Sequence, residues 1–253
     1  MTAFTLKIIA SLCMLIDHVG AVFDAPHFFR MIGRIAFPLY AYLIAQGCVR
    51  TKNIYKYLLR LGLFAVISEI PFDLTFSPYF GRPFAVDYLR DTNVFFTLFL
   101  GAASVAVYEK LKPKLGVLAL LPAASLCLLG NILDTDYGMY GVLFILFFYG
   151  MKPDNRLTRT AAMAAVVFIQ YGYPYIFTVF FRNGVELFRL PGQPVIFSQH
   201  VGHYFLFALA AVPLVLIYNG KRGPNPGWLK WAFYAYYPVH LAALGLIWYS
   251  HFR

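Results

Sequence analysis

The chain has 253 residues, of which 60% are apolar, 19% aromatic and only 13% charged, with a formal net charge of +10. Apolar runs of about twenty residues recur from end to end, each long enough to cross a ~30 Å hydrocarbon layer, so no appreciable soluble domain is expected. The runs are continuously apolar rather than alternating, which argues against a β-barrel; the basic residues sit in short loops between them, which argues against a nucleic-acid partner.

The pattern predicts an all-α, polytopic transmembrane helix bundle of about nine spans, forming one domain over 1–253. The first span, 4–23, holds Lys7, Asp17 and His18. Lys7 and His18 are eleven positions apart, about three turns at ~3.6 residues each, so they share one helical face roughly 16 Å apart. Ionisable groups inside a membrane helix are costly and usually mark a site or a pathway. The run continues through Asp17-His18-Val19-Gly20 without a good small-residue cleavage site, and is expected to be retained rather than removed as a signal peptide.

The second span, 34–49, opens on Arg34. The third, 54–76, closes with Glu69 and Asp73 on either side of Pro71. Asp91 and Asn93 open the fourth, 92–109, and Asp134, Asp136 and Tyr137 cap the fifth, 114–133. The sixth, 138–151, is short enough to be tilted or incomplete. A seventh, 159–181, precedes a segment, 182–199, with too many breakers for a span, which reads as a re-entrant or interfacial loop. The eighth, 200–219, begins with His200 and His203 at the interface, and the ninth, 228–250, holds His240 near its middle. Cys13, Cys48 and Cys127 suggest neither a disulfide framework nor a metal site.

Orientation follows from charge. The connections after spans two, four, six and eight carry thirteen Lys or Arg: Arg50, Lys52, Lys56, Arg60, Lys110, Lys112, Lys114, Lys152, Arg156, Arg159, Lys221, Arg222 and Lys230. The other four carry six: Arg30, Arg34, Arg82, Arg90, Arg182 and Arg189. The positive-inside rule therefore places the N-terminus in the cytoplasm and the C-terminus outside a cell (inner) membrane. Of the eleven acidic residues, all but Glu109 and Asp154 then fall in the outer half.

Histidine accepts and returns a proton near neutral pH, as acyl transfer to an amine or hydroxyl requires, and a carboxylate often orients it. Asp17 and Glu69 are both candidates to orient His18, although neighbours on a helix diverge by about 100° and Asp17 need not touch the ring. Arg34 or Asn93 would stabilise charge on a carbonyl oxygen. Blander roles stand beside each. An intramembrane histidine also ties helices together, Lys7 can snorkel to the headgroups, Arg34 can anchor the interface, and Glu69 and Asp73 can be solvated helix ends. The aromatic run Tyr234 to Tyr237 reads as packing and belt residues.

Several stretches occur together and in one order: Leu6-Lys7-Ile8-Ile9-Ala10 with Met14 and Asp17-His18, Gly33-Arg34-Ile35-Ala36-Phe37-Pro38, and Thr51-Lys52-Asn53 with Tyr57 and Arg60-Leu61. Ser68-Glu69-Ile70-Pro71-Phe72-Asp73-Leu74, Asn93-Val94-Phe95-Phe96-Thr97-Leu98, Asp136-Tyr137-Gly138 with Gly141, and Tyr237-Pro238-Val239-His240-Leu241 follow. Over nearly its whole length the chain resembles the TraX family, whose founding member acetylates the N-terminus of pilin during conjugative pilus maturation. The Lys7/His18 spacing also resembles the pattern of a basic residue, ten others and a histidine in membrane acyltransferases that modify cell-surface polysaccharides. One departure is Gln46, where family members often carry Glu.

The resemblance implies a transmembrane acyltransferase moving acetyl from cytoplasmic acetyl-CoA to an extracytoplasmic acceptor, a pilin-like N-terminus or a cell-surface glycan, without a metal. His18 would be general base or transient acyl carrier, and Lys7 would bind the donor. Asp73, Asp136, Tyr137 and His240 are further candidates to line the site. Two other classes stay open: a secondary transporter, which would usually show internal repeats not visible here, and a non-enzymatic membrane component of a pilus or secretion assembly.

Overall fold

Helix 1 begins where Thr2 places its hydroxyl to accept the Thr5 N–H at 3.4 Å, and it runs over Ala3–Val22 (α1). This and the following elements come from a computed structural model, described over residues 1–81, 83–151, 155–174 and 201–252. Next are α2 (Phe28–Gly33), α3 (Ala36–Arg50), α4 (Ile54–Phe76) and α5 (Val94–Leu115). A 3-10 turn, Gly116–Ala119, joins α5 to α6 (Leu120–Ile132), which is followed by α7 (Gly138–Gly150). Helix α8 (Arg156–Val167) continues into a π-helical turn, Phe168–Gly172. After the undescribed stretch come α9 (Val201–Ala208), α10 (Ala211–Leu216) and α11 (Gly227–Phe252). Among the described residues no strand forms; an isolated bridge joins Thr92 and Thr135.

Asparagines start three helices. Asn53, Asn93 and Asn155 each accept a backbone N–H in the first turn, from Lys56, Phe95 and Thr158 respectively, which satisfies a donor that the helix leaves orphaned.

Three stretches among the described residues are long and apolar enough to cross a membrane: Ala3–Val22, Phe28–Arg50 and Val94–Ile132. Gly138–Gly150 and Gly202–Leu216 are shorter apolar helices. Helices α4 and α11, at 23 and 26 residues, are also long enough at ~1.5 Å per residue, but carry polar groups inside. Large apolar side chains point outward from helix after helix, among them Leu12, Leu59, Val66, Leu121, Leu128 and Leu246. Water would not tolerate so continuous an apolar exterior; lipid does. The chain is an α-helical membrane protein in contact with the bilayer.

The core lies between α1, α3, α4, α5, α7 and α11, around Leu6, Phe37, Leu39, Tyr42, Leu61, Ile145 and Leu241. Gly101 and Gly141 let helices approach closely: a Cβ at Gly101 would stand 2.4 Å from Ile145, and one at Gly141 would stand 2.4 Å from Thr97.

Helix ends gather into two sets. At one, Ala3 and Phe4 donate N–H bonds to the carbonyls of Lys221 and Arg222, Arg50 reaches Gly220 O at 2.8 Å, and Arg159 donates to Tyr218 O. At the other, Asp73 Oδ2 accepts the Asp87 N–H at 2.9 Å, and Thr92 exchanges backbone bonds with Asp134 and Asp136. These are called the Lys7 end and the His18 end below.

The helices differ from expectation at three places. The second apolar stretch starts six residues early as α2, which draws Arg30 into the helical region; a bend at Arg34 and Ile35 separates it from α3. In place of the expected break near residue 110, α5 continues through Pro113 to Leu115, where Gly116, at φ +56°, ends it and a 3-10 turn follows. The expected eighth span is two short helices, α9 and α10, interrupted at Leu209 and Ala210. The predicted loop 182–199, the end of the predicted seventh span, and Arg82, Lys152, Asp154, Arg182, Arg189 and His200 lie outside the described residues.

Candidate functional site

Two histidines 222 positions apart meet between α1 and α11. His18 Nδ1 lies 2.8 Å from His240 Nε2, with the rings nearly parallel at 6°. His240 Nδ1 lies 2.7 Å from the backbone carbonyl of Tyr236, one turn earlier in α11. A carbonyl only accepts, so His240 Nδ1 carries the hydrogen. In a neutral ring its Nε2 is then the acceptor, and His18 Nδ1 is the donor. His18 Nε2 is left as the unprotonated nitrogen, with no hydrogen-bond partner among the described residues. Phe76 and Tyr237 press ring edges on His18 at centroid distances of 5.3 and 6.1 Å.

The relative placement of α1, α4 and α11 at this level is held by polar ties. Thr75 shares its hydroxyl hydrogen between Pro71 O in its own helix and Leu241 O, both at 2.7 Å, and the second bond lands beside His240. Tyr236 OH donates to Ser11 O at 3.0 Å.

Asp17, expected as an orienter of His18, faces away from it. Its Oδ2 takes Arg30 Nη1 at 2.6 Å and its Oδ1 takes Arg34 Nη2 at 2.7 Å, and Arg34 Nε also caps Arg30 O at 3.0 Å. The reason is the ~100° step between adjacent helical residues. Glu69, the other expected orienter, is fully buried and bound elsewhere: Oε2 accepts both Asn93 N–H at 3.1 Å and Asn93 Nδ2 at 2.5 Å. Its Oε1 is buried without a hydrogen-bond partner among the described residues.

Asn93 has no donor left for a carbonyl oxygen. Its Nδ2 serves Glu69 and Ala65 O, and its Oδ1 caps α5. The expectation that Asn93 stabilises an oxyanion is therefore not supported by the geometry. Asp73 ties down the 83–91 loop through Asp87, Tyr137 stacks on Phe37 with centroids 3.4 Å apart, and Asp136 sits exposed in the turn before α7.

A cleft of about 450 Å³ opens at the His18 end. Ala21 and Val22, three and four residues past His18, line it together with Asp24, Arg30, Thr75, Tyr79, Tyr204 and Trp248. At the opposite end a small pocket of about 30 Å³ is lined by Phe4, Lys7, Arg222, Asn225, Lys230 and Phe233 among others. Lys7 Nζ lies over the Phe233 ring at 5.1 Å.

Two contributors carry no clear sign in the sequence: Arg30, which stands there as one loop cation among several, and the backbone of Tyr236, which lies within an aromatic run. A His-to-His pairing across the whole chain leaves no local signature, whereas Asp17 beside two arginines thirteen and seventeen positions on was open to a charge-balance argument.

Fold and site together define an α-helical membrane protein whose ionisable residues converge on a histidine pair and an Asp–Arg–Arg cluster. The chain belongs to the TraX family: the family described as TraX protein matches residues 3–248. It is also similar to a protein of Dichelobacter nodosus described as probable fimbrial assembly protein FimC, serogroup H1, at 28% identity over 263 residues, covering 96% of this chain and 94% of that protein. No solved structure matches.

Proposed function

We propose that this protein is an acetyltransferase that takes acetyl from acetyl-CoA on the cytoplasmic side and delivers it to an acceptor at the outer side, a pilin-like N-terminus or a cell-surface glycan. In this reading the chain crosses the inner membrane about nine times, with the Lys7 end inside and the His18 end outside. One observation carries the chemistry: the chain from Tyr236 O through His240 to His18 leaves His18 Nε2 as a free base inside a largely apolar surround.

The acceptor amine or hydroxyl attacks the thioester carbonyl, and His18 Nε2 takes its proton. The carbon–sulfur bond then breaks, and the proton returns to the departing thiolate. His240 holds the imidazole in the required tautomer and shares the positive charge it acquires, the part a carboxylate plays in better-known arrangements. Arg34 and Arg30, fixed by Asp17, supply positive field for the negative charge developing on the carbonyl oxygen. The large cleft suits the acceptor. Reach supports the donor side: Lys7 and His18 are separated by about 16 Å along α1, and the chain of about thirteen bonds from the thioester sulfur to the nearer phosphorus of coenzyme A extends roughly 15 Å.

Membranes carrying the parent protein, supplied with radiolabelled acetyl-CoA, should label an envelope acceptor. His18→Ala should lower the rate at least ~10²-fold, as loss of a general base typically does, at unchanged protein level by immunoblot. His240→Ala keeps the base and loses its orientation, so an intermediate loss is expected. A His18→Ala protein with a third of parental activity would sink the catalytic assignment. The Dichelobacter nodosus relative is described as a probable fimbrial assembly protein, and a second reading is that this chain is a membrane component of such an assembly without transfer activity. It predicts no labelling from the parent and normal pilus assembly with His18→Ala.

A further inference from the structure

The pocket at the Lys7 end gathers three cations from separate parts of the chain. Lys7 comes from the second turn of α1, Arg222 from the loop before α11, and Lys230 from the first turn of α11. No carboxylate lines it, and none of the three is ion-paired among the described residues. Three like charges facing one small space repel one another unless an anion sits among them.

The arrangement is built rather than incidental. Ala3 and Phe4, at the start of α1, donate their N–H groups to Lys221 O and Arg222 O at 2.9 and 3.1 Å, so the loop is stitched to the helix that carries Lys7. Asn219 Oδ1 accepts the Lys221 N–H at 3.0 Å. Gly223 takes φ +79° and lies so close to Thr2 that a Cβ would stand 2.5 Å from its Oγ1, a conformation and a fit available to glycine. Phe233 closes the pocket beneath the Lys7 ammonium. At about 30 Å³ the space holds one phosphate-sized group, roughly twice what a single water needs, and does not enclose a nucleoside.

We propose that this pocket is a phosphate site in which Arg222 and Lys230, together with Lys7, seat one phosphate of the acyl donor's diphosphate. The assignment rests on the acetyl-transfer reading for the donor's identity and on the pocket itself for its chemistry. The guanidinium of Arg222, exposed at the rim, makes the first, bidentate contact with a phosphate arriving from the aqueous side. Lys230 and Lys7, half-buried, act as point charges deeper in. With the diphosphate so placed the pantetheine arm follows α1 towards His18. An anionic lipid headgroup shares the same chemistry and is the alternative source of the phosphate.

The test compares two donors in nanodiscs of zwitterionic lipid: acetyl-CoA, which carries the diphosphate, and S-acetylpantetheine, which does not. Arg222→Gln and Lys230→Gln should each raise KM for acetyl-CoA about tenfold and leave KM for S-acetylpantetheine unchanged. Equal effects on both donors, or none on either, overturn the proposal while leaving acetyl transfer standing. Direct binding of labelled pyrophosphate separates the two levels. Binding by the parent and loss in the double variant support the phosphate site even if neither donor is used, in which case the acetyl-transfer reading falls alone. Variants that lose preference for phosphatidylglycerol nanodiscs and bind pyrophosphate like the parent would assign the pocket to lipid and overturn the donor role.

Discussion

Asp17 neighbours His18 in sequence, yet its work is to hold two arginines at 2.6 and 2.7 Å. Gly33 makes the arrangement possible: a Cβ there would lie 2.0 Å from Asp17 Oδ1 and 2.3 Å from its Cβ, so α2 could not lie against α1 at this point. Removing the carboxylate leaves two mutually repelling guanidiniums partly shielded from water. Asp17→Asn should therefore destabilise the protein by on the order of 3 kcal/mol, the range for breaking a buried pair by deleting one partner. Gly33→Ala should act in the same direction, because the clash involves Asp17 Cβ and not merely a movable side-chain tip. Thermal unfolding of the two variants in detergent, followed by tryptophan fluorescence, provides the check. An Asp17→Asn protein melting with the parent would show that the cluster does not hold α2 to α1.

At the level of elements, α4 and α5 are joined by Glu69 and Asn93, and this tie behaves as structure. Asn93 caps α5 and spends both amide hydrogens on α4, while Glu69 only accepts. Glu69→Gln retains an acceptor oxygen for Asn93, so acetyl transfer should stay within about threefold of the parent. Glu69→Ala strands buried donors at a cost of about 1–3 kcal/mol and should reduce stability. A Glu69→Gln protein as inactive as His18→Ala would restore Glu69 to the chemistry. The helices and their polar ends were legible in the sequence, because hydropathy, capping asparagines and intramembrane charge are local signals. Partner choice was not. Asp17 and Glu69 are carboxylates at the right level for His18, and only the rotation of α1 about its axis and the packing of α4 on α5 turn them elsewhere. The role of His240 is equally hidden, since nothing in Tyr237-Pro238-Val239-His240 specifies that its ring reaches α1. Arg30 leaves no such signal, because the turn of helix that carries it, Phe28–Gly33, is too short to show a period.

For the whole molecule, the distribution of charge and the gathering of helix ends point the same way. Arg50, Arg159, Lys221 and Arg222 meet at the Lys7 end through bonds among α1, α3, α8 and the loop before α11. Asp73, Asp87, Asp134 and Asp136 meet at the other. In the proposed orientation the Lys7 end lies inside and the His18 end outside, because basic connections are retained on the cytoplasmic side. A reporter inserted between Lys221 and Lys230 should then be cytoplasmic, and one fused after residue 253 should be extracytoplasmic, as alkaline phosphatase and green fluorescent protein fusions would distinguish. The inserted reporter would disturb the loop that is stitched to α1, so activity is not the readout at that site; membrane-integrated protein with the expected reporter signal is sufficient. If both reporters were cytoplasmic, α11 would not cross, and His240 could not stand at mid-membrane opposite His18. If both signals were reversed, the cationic pocket would face outward, away from any cytoplasmic acyl donor. Either result would remove the transmembrane acetyl-transfer mechanism, because that mechanism needs the cations of the Lys7 end at the cytoplasmic face and the free histidine nitrogen about three turns of α1 deeper in the bilayer.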